Sequence, residues 1–153
     1  MEKENKEKGR FKFPKEERLR HKSLVERLFR EGESFYEFPF RINWQAISEE
    51  ALERNFKNYV PEGIGGLQLL VTVPKKKRKR AVDRVLLRRR IREAYRLNRL
   101  PLKQIIENSP EIRTFSLSLV YIHDKTLSYH SIERKIQTIL QKIENKIIEP
   151  SPS

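Results

Sequence analysis

Residues 129–148, YHSIERKIQTILQKIENKII, place Ile132, Ile136, Ile139, Leu140, Ile143 and Ile147 at i, i+4, i+7, i+8, i+11 and i+15. That spacing brings all six to one side of an α-helix. A stripe of this width must be buried, so the helix needs an apolar surface to lie on. Ser128 precedes it and suits the N-cap, where its hydroxyl can accept from a free backbone N–H.

The sequence also offers strands for that surface. TFSLSLVYIH sends Phe115, Leu117, Leu119 and Tyr121 to one side. LQLLVTV is apolar throughout, as a central strand is. FPFRINWQ alternates, with Phe40, Ile42 and Trp44 inward and Arg41, Asn43 and Gln45 outward. Upstream, RLRHKSLVERLFREG reads as a short helix. Ser23 and Glu26 fit a capping box, Leu24/Leu28 and Val25/Phe29 repeat at i, i+4, and Gly32 ends it. Residues 47–66 are expected to be a long, poorly ordered loop, and residues 100–113, with Pro101 and Pro110, a connection. Residues 1–17 are Lys/Glu-rich and aperiodic and read as a disordered arm, and 149–153 as a tail. One domain over 18–148 remains. Its expected fold is a two-layer α/β (α+β) sandwich on a small mixed sheet, in the order α-β-β-(β)-α-β-α, with one strand left open.

Charge points to the partner. The net charge is +13, yet from Lys75 to Arg99 thirteen basic residues stand against two acidic ones, Asp83 and Glu93. The stretch PKKKRKRAVDRVLLRRRIREAYR follows a strand, and Asp83 suits the N-cap of a helix over 84–99. At ~100° per residue, Arg84, Arg88, Arg89, Arg92, Arg96 and Arg99 share one arc of roughly 140°. Leu86, Leu87, Ile91, Ala94, Tyr95 and Leu97 fall mainly opposite, and Arg90 sits at the boundary. Guanidinium groups bind phosphate as planar forks and stack on bases. Lys75, Lys76, Lys77 and Arg80 add charge beside the helix N-terminus. Together these residues form a candidate RNA-binding surface. PKKKRK also resembles an import tag, but such tags work from flexible segments and this one is set between a strand and a helix.

Other chemistries find little support. The chain lacks cysteine, which removes disulfides and thiolate metal sites. No apolar run reaches the ~18–20 residues of a membrane span, and the N-terminus lacks the apolar core of a secretory signal. A cytoplasmic protein with no membrane partner is the expectation. His21, His123 and His130 are isolated in sequence, and Gly63, Gly65 and Gly66 precede a strand rather than a Lys-Ser/Thr helix start. We expect no catalytic or metal-ligating residue in the protein.

TVPKKKRKRAV followed by DRVLLRRRIREAYR resembles the bacterial ribonuclease P protein component. Lys75-Lys76 match its lysine pair, Ala81-Val82 its short step, Arg84 its first arginine, Arg88-Arg89 its Lys-Arg pair and Arg92-Glu93 its closing pair. RLRHKSLVERLFREG resembles the opening helix of that family, with Phe29 and Gly32 in place. Val85-Leu86 stand where the family has Asn-Arg, and Val25 where it has an aromatic. The resemblance implies a left-handed βαβ crossover, an exception to the usual hand. It implies a monomeric protein in a 1:1 complex with ribonuclease P RNA, promoting removal of the 5′ leader from precursor tRNA. The RNA would carry the hydrolytic catalysis and hold Mg²⁺. By aligned position, Val25, Phe29, Arg41 and Asn43 would line a cleft for the single-stranded leader. The alternatives are a structural RNA-binding protein, such as a ribosomal or assembly protein, and a major-groove DNA reader. Against the last, the arginine arc has no Asn/Gln/Ser set for base edges.

Overall fold

The structure is a computed structural model that describes residues 14–57, 59–76 and 80–148. Four strands, β1 (Glu33–Glu37), β2 (Phe40–Ile47), β3 (Leu67–Thr72) and β4 (Thr114–Tyr121), form one mixed sheet in the order β1-β2-β4-β3. β1/β2 and β2/β4 are antiparallel; β3/β4 is parallel. The helices are α1 (Lys22–Glu31), α2 (Glu49–Asn55), α3 (Ala81–Asn98), α4 (Leu100–Glu107) and α5 (Tyr129–Ile148), preceded by a 3-10 turn over Lys15–Glu17. The helix-covered mixed sheet is the expected architecture; its additional strand is β1, which comes before β2 rather than in the bracketed third place.

The α5 stripe finds its surface. Ile132, Ile136, Ile139, Leu140 and Ile143 are buried with Phe40, Ile42, Phe115, Leu117, Leu119 and Tyr121 in one cluster, which α3 and α4 complete. Each such side chain contributes about 1.5–3 kcal/mol on leaving water. Trp44 joins this face, stacked on Phe115 at 5.5 Å between centroids and 8° between planes. Ser128 Oγ accepts from Ser131 N–H at 3.2 Å, the expected cap. A second cluster on the other side of the sheet joins Leu24 and Leu28 of α1 to Ile47, Ala51, Leu52 and Ile64.

Four local expectations change. Residues 47–66 are not a plain loop. Ser48 Oγ accepts from Ala51 N–H at 3.1 Å and caps α2, whose Leu52 is fully buried. The Gly and Pro residues that suggested a loop come only after that helix. Residues 100–113 contain α4, because Pro101 lies in the first turn, where its missing N–H breaks no helical bond. Leu102 and Ile106, one turn apart, hold α4 to the core. α1 begins at Lys22 with His21 as N-cap, so Ser23 lies inside the helix and its hydroxyl accepts from Asn55 Nδ2 at 3.0 Å. The expected arm over 1–17 also divides. Residues 1–13 lie outside the described residues, as does the 149–153 tail, whereas Lys15–Glu17 is docked and Glu17 is buried.

Candidate nucleic-acid interface

α3 carries the arginine surface. Its N-cap is Arg80, with no side-chain cap, so Asp83 sits in the first turn rather than capping it. There the carboxylate still favours the positive end of the helix dipole. Leu87, Ile91, Ala94 and Tyr95 are buried, but Leu86 (37% exposed) and Leu97 (55%) are not. The buried side is therefore narrower than the sequence implies. The arginine arc begins at its edge, leaving a third, solvent-facing flank.

The arc is less uniform than expected. Arg96 pairs with Glu93 at 2.8 Å, and Arg99 pairs with Glu17 at 2.7 Å. Carboxylates of the described residues thus engage Arg96 and Arg99 of the arc; Glu17 lies far back in the sequence, and Glu93 stands outside the arc. Arg90, as expected of a boundary residue, reaches Leu127 O at 2.6 Å. Among the described residues Arg88, Arg89 and Arg92 form no ion pair. Burial lowers the Arg92 pKa, and the charges of Arg88 and Arg18 lower it further. Such crowding of like charge is relieved when an anion arrives. Lys75, Lys76 and Arg80 are exposed on the approach to α3; Lys77 lies outside the described residues.

A second surface lies on the sheet face opposite the main core. Strand register sets Asn43 beside Ser118, and Gln45 beside Ser116, which in turn neighbours Gln68. Side chains at paired positions share a sheet face. Arg41 Nε, Asn43 Oδ1, Gln45 Oε1, Gln68 Oε1, Ser116 Oγ and Ser118 Oγ are buried with no hydrogen-bond partner among the described residues. A buried polar atom without a partner costs about 1–3 kcal/mol. A row of them spread over three strands is unusual for a protein interior; Gln68, Ser116 and Ser118 are fully covered, whereas Arg41 and Gln45 are part-exposed and are the members a polar ligand can reach.

The structure thus brings Arg41 and Asn43 together on this face. Phe29 is 45% exposed on α1, while Val25 packs against the cluster that α1 and α2 share. Tyr36 was missed in the sequence. It pairs with Arg41 across β1/β2 and is 67% exposed, so it stands beside Arg41 on the same face. The available signal was the short ESFYE run before Pro39, in which Phe35 turns to the core and its neighbours turn out. Among the described residues no three of His, Asp and Glu come together as a metal-binding group.

Comparison with known proteins gives consistent results. The ribonuclease P family profile matches residues 13–144. A ribonuclease P protein component of Porphyromonas gingivalis is 28% identical over 137 residues, covering 90% of each chain. One of Dictyoglomus turgidum is 31% identical over 134 residues, covering 88% of this chain and 94% of its own. The solved Staphylococcus aureus RNase P protein shares the fold at a TM-score of 0.57 and 17% identity, covering 83% of this chain and 94% of its own.

Proposed function

The chain belongs to the ribonuclease P protein family, and we propose that its two polar surfaces divide the work of tRNA 5′ maturation. As a ribonuclease P protein component it is a subunit of that enzyme and associates with ribonuclease P RNA. In our reading, α3 and its approach bind that RNA through Lys75, Lys76, Lys77, Arg80, Arg84, Arg88, Arg89, Arg92 and Arg96. The polar sheet face holds the single-stranded 5′ leader of precursor tRNA. Arg41 and Asn43 supply hydrogen bonds there, Phe29 and Tyr36 stacking surfaces, and Val25 an apolar wall.

Hydrolysis of the leader phosphodiester is assigned to the RNA. The chemistry its Mg²⁺ ions supply is water activation and charge neutralisation at the scissile phosphate. The protein's own residues bind and orient substrate, in a 1:1 complex in the cytoplasm.

One observation carries the leader assignment: the part-exposed Arg41, whose Nε has no hydrogen-bond partner among the described residues, stands beside the exposed ring of Tyr36 across β1/β2. Single-strand sites of this kind combine a polar groove with stacking aromatics and tolerate many sequences. The test is reconstitution with the cognate RNA at low Mg²⁺. The protein should stimulate cleavage of precursor tRNA, and Arg41→Ala should weaken binding of leader-bearing tRNA but not of mature tRNA. Equal loss for both substrates would remove the leader from this face. No stimulation by the wild-type protein would favour a purely structural RNA-binding role.

A further inference from the structure

Beside α3 lies a cavity of 740 Å³, between the chain at Arg18–Arg20 and the edge strand β3. Leu69, Val71 and Leu86 line its apolar part, and Arg18, Arg20, Arg89, Arg90 and Arg92 its charged part. Its one carboxylate among the described residues, Glu93, is already bound to Arg96. Ligand sites commonly enclose about 300–1,000 Å³, so the space is ample for a nucleotide.

The strand edge adds recognition. β3 pairs with β4 on its inner side, and on its outer side Leu69 O accepts from Leu19 N–H at 3.0 Å. Strand geometry turns the N–H and C=O of Val71, two residues on, to that same outer side. The cavity thus combines an apolar slot, a backbone donor and acceptor, and four guanidinium groups besides that of Arg90, which is already bonded to Leu127 O.

We infer that this cavity receives an unstacked nucleotide of the RNA bound along α3. The base lies against Leu69, Val71 and Leu86, and its flanking phosphates meet Arg18, Arg20, Arg89 and Arg92. This rests on the reading of α3 as an RNA-binding helix and deepens it. α3 would hold one nucleotide by shape as well as following the backbone by charge. Guanidinium forks suit phosphate, and unstacked bases are what proteins read in RNA. The crowding of Arg18 and Arg88 around Arg92 is the charge pattern such a phosphate would neutralise.

The test uses the full chain and two measurements. In methyl NMR, the four nucleoside 5′-monophosphates should produce ring-current shifts at Leu69, Val71 and Leu86, while inorganic phosphate shifts only guanidinium signals. Identical responses to phosphate and nucleotides, or methyl shifts from a Glu-rich peptide and none from nucleotides, would overturn the inference. Leu86→Trp fills the slot from an exposed helix position, so the fold should persist by circular dichroism. It should weaken binding to ribonuclease P RNA on the order of ten-fold, as loss of one stacked base does. Leu97→Trp, exposed on the same helix but outside the cavity, should not. Normal binding by Leu86→Trp alongside weak binding by Arg88→Ala would dismiss the nucleotide slot and leave the role of α3 intact.

Discussion

Arg99 donates to Glu17 twice, from Nε to Oε1 at 2.7 Å and from Nη2 to Oε2 at 3.1 Å. The pair joins the segment before α1 to the residue that ends α3, and the Glu17 side chain is only 8% exposed. Removing one partner leaves the other buried and unpaired. Glu17→Ala should therefore cost about 3 kcal/mol in chemical denaturation. The double variant with Arg99→Ala should cost clearly less than the two single losses added together, because they share one contact.

The arginines of α3 should not be equivalent. Arg88→Ala and Arg92→Ala should each weaken RNA binding and lower the slope of log affinity against log salt by about one unit. Arg96→Ala should have a smaller effect, because Glu93 already holds that guanidinium at 2.8 Å. Affinity measured across a salt series separates these outcomes.

Gly32 is required for space. A Cβ there would lie 2.4 Å from Leu28 O and 2.9 Å from Trp44 O, both backbone atoms that cannot swing aside. Gly32→Ala should destabilise the protein by about 1–3 kcal/mol, the usual range for overpacking. Its φ of −71° is ordinary, so strain in the turn is not the cause.

His21 should make stability pH-dependent. Burial, and then the charge of Arg20, lower its pKa from the usual 6.5. The unfolded chain therefore takes up this proton more readily than the folded one. The contribution is complete above the unfolded value of 6.5 and is lost as pH falls below it. Melting temperatures at pH 7 and pH 5 should differ more for the wild type than for His21→Gln.

Tyr36→Ala should leave stability nearly unchanged, since the side chain is largely exposed. It should weaken binding of leader-bearing tRNA by about 1–3 kcal/mol, the range for one stacked base. Unchanged leader affinity would remove Tyr36 from that face.

Much of this protein is local, and so was readable along the chain. The α5 stripe, the alternation of β2 and β4 and the arginine arc each follow from the period of one element. α2 and α4 were also local, but Gly and Pro residues suggested loops. Pro101 in fact starts α4, and Ser48 supplies a cap before the glycines are reached. The residues of the proposed sites were legible only in part. Arg41 and Asn43 could be placed on an outward face. Their row with Ser116, Ser118 and Gln68 needs the register of three strands, and Tyr36 joins it only because β1 pairs with β2.

By itself, the sequence determined which faces are apolar, which helix is cationic and that the charge seeks a polyanion, because periodicity and charge are properties of neighbouring residues. Tertiary structure alone decided which arginines stay available. Glu17 takes Arg99 from far along the chain, while Arg18 and Arg20 are brought to the cavity beside Arg89 and Arg92. Those outcomes depend on where the chain enters beside β3, and pairing between distant segments leaves no periodic trace in either one.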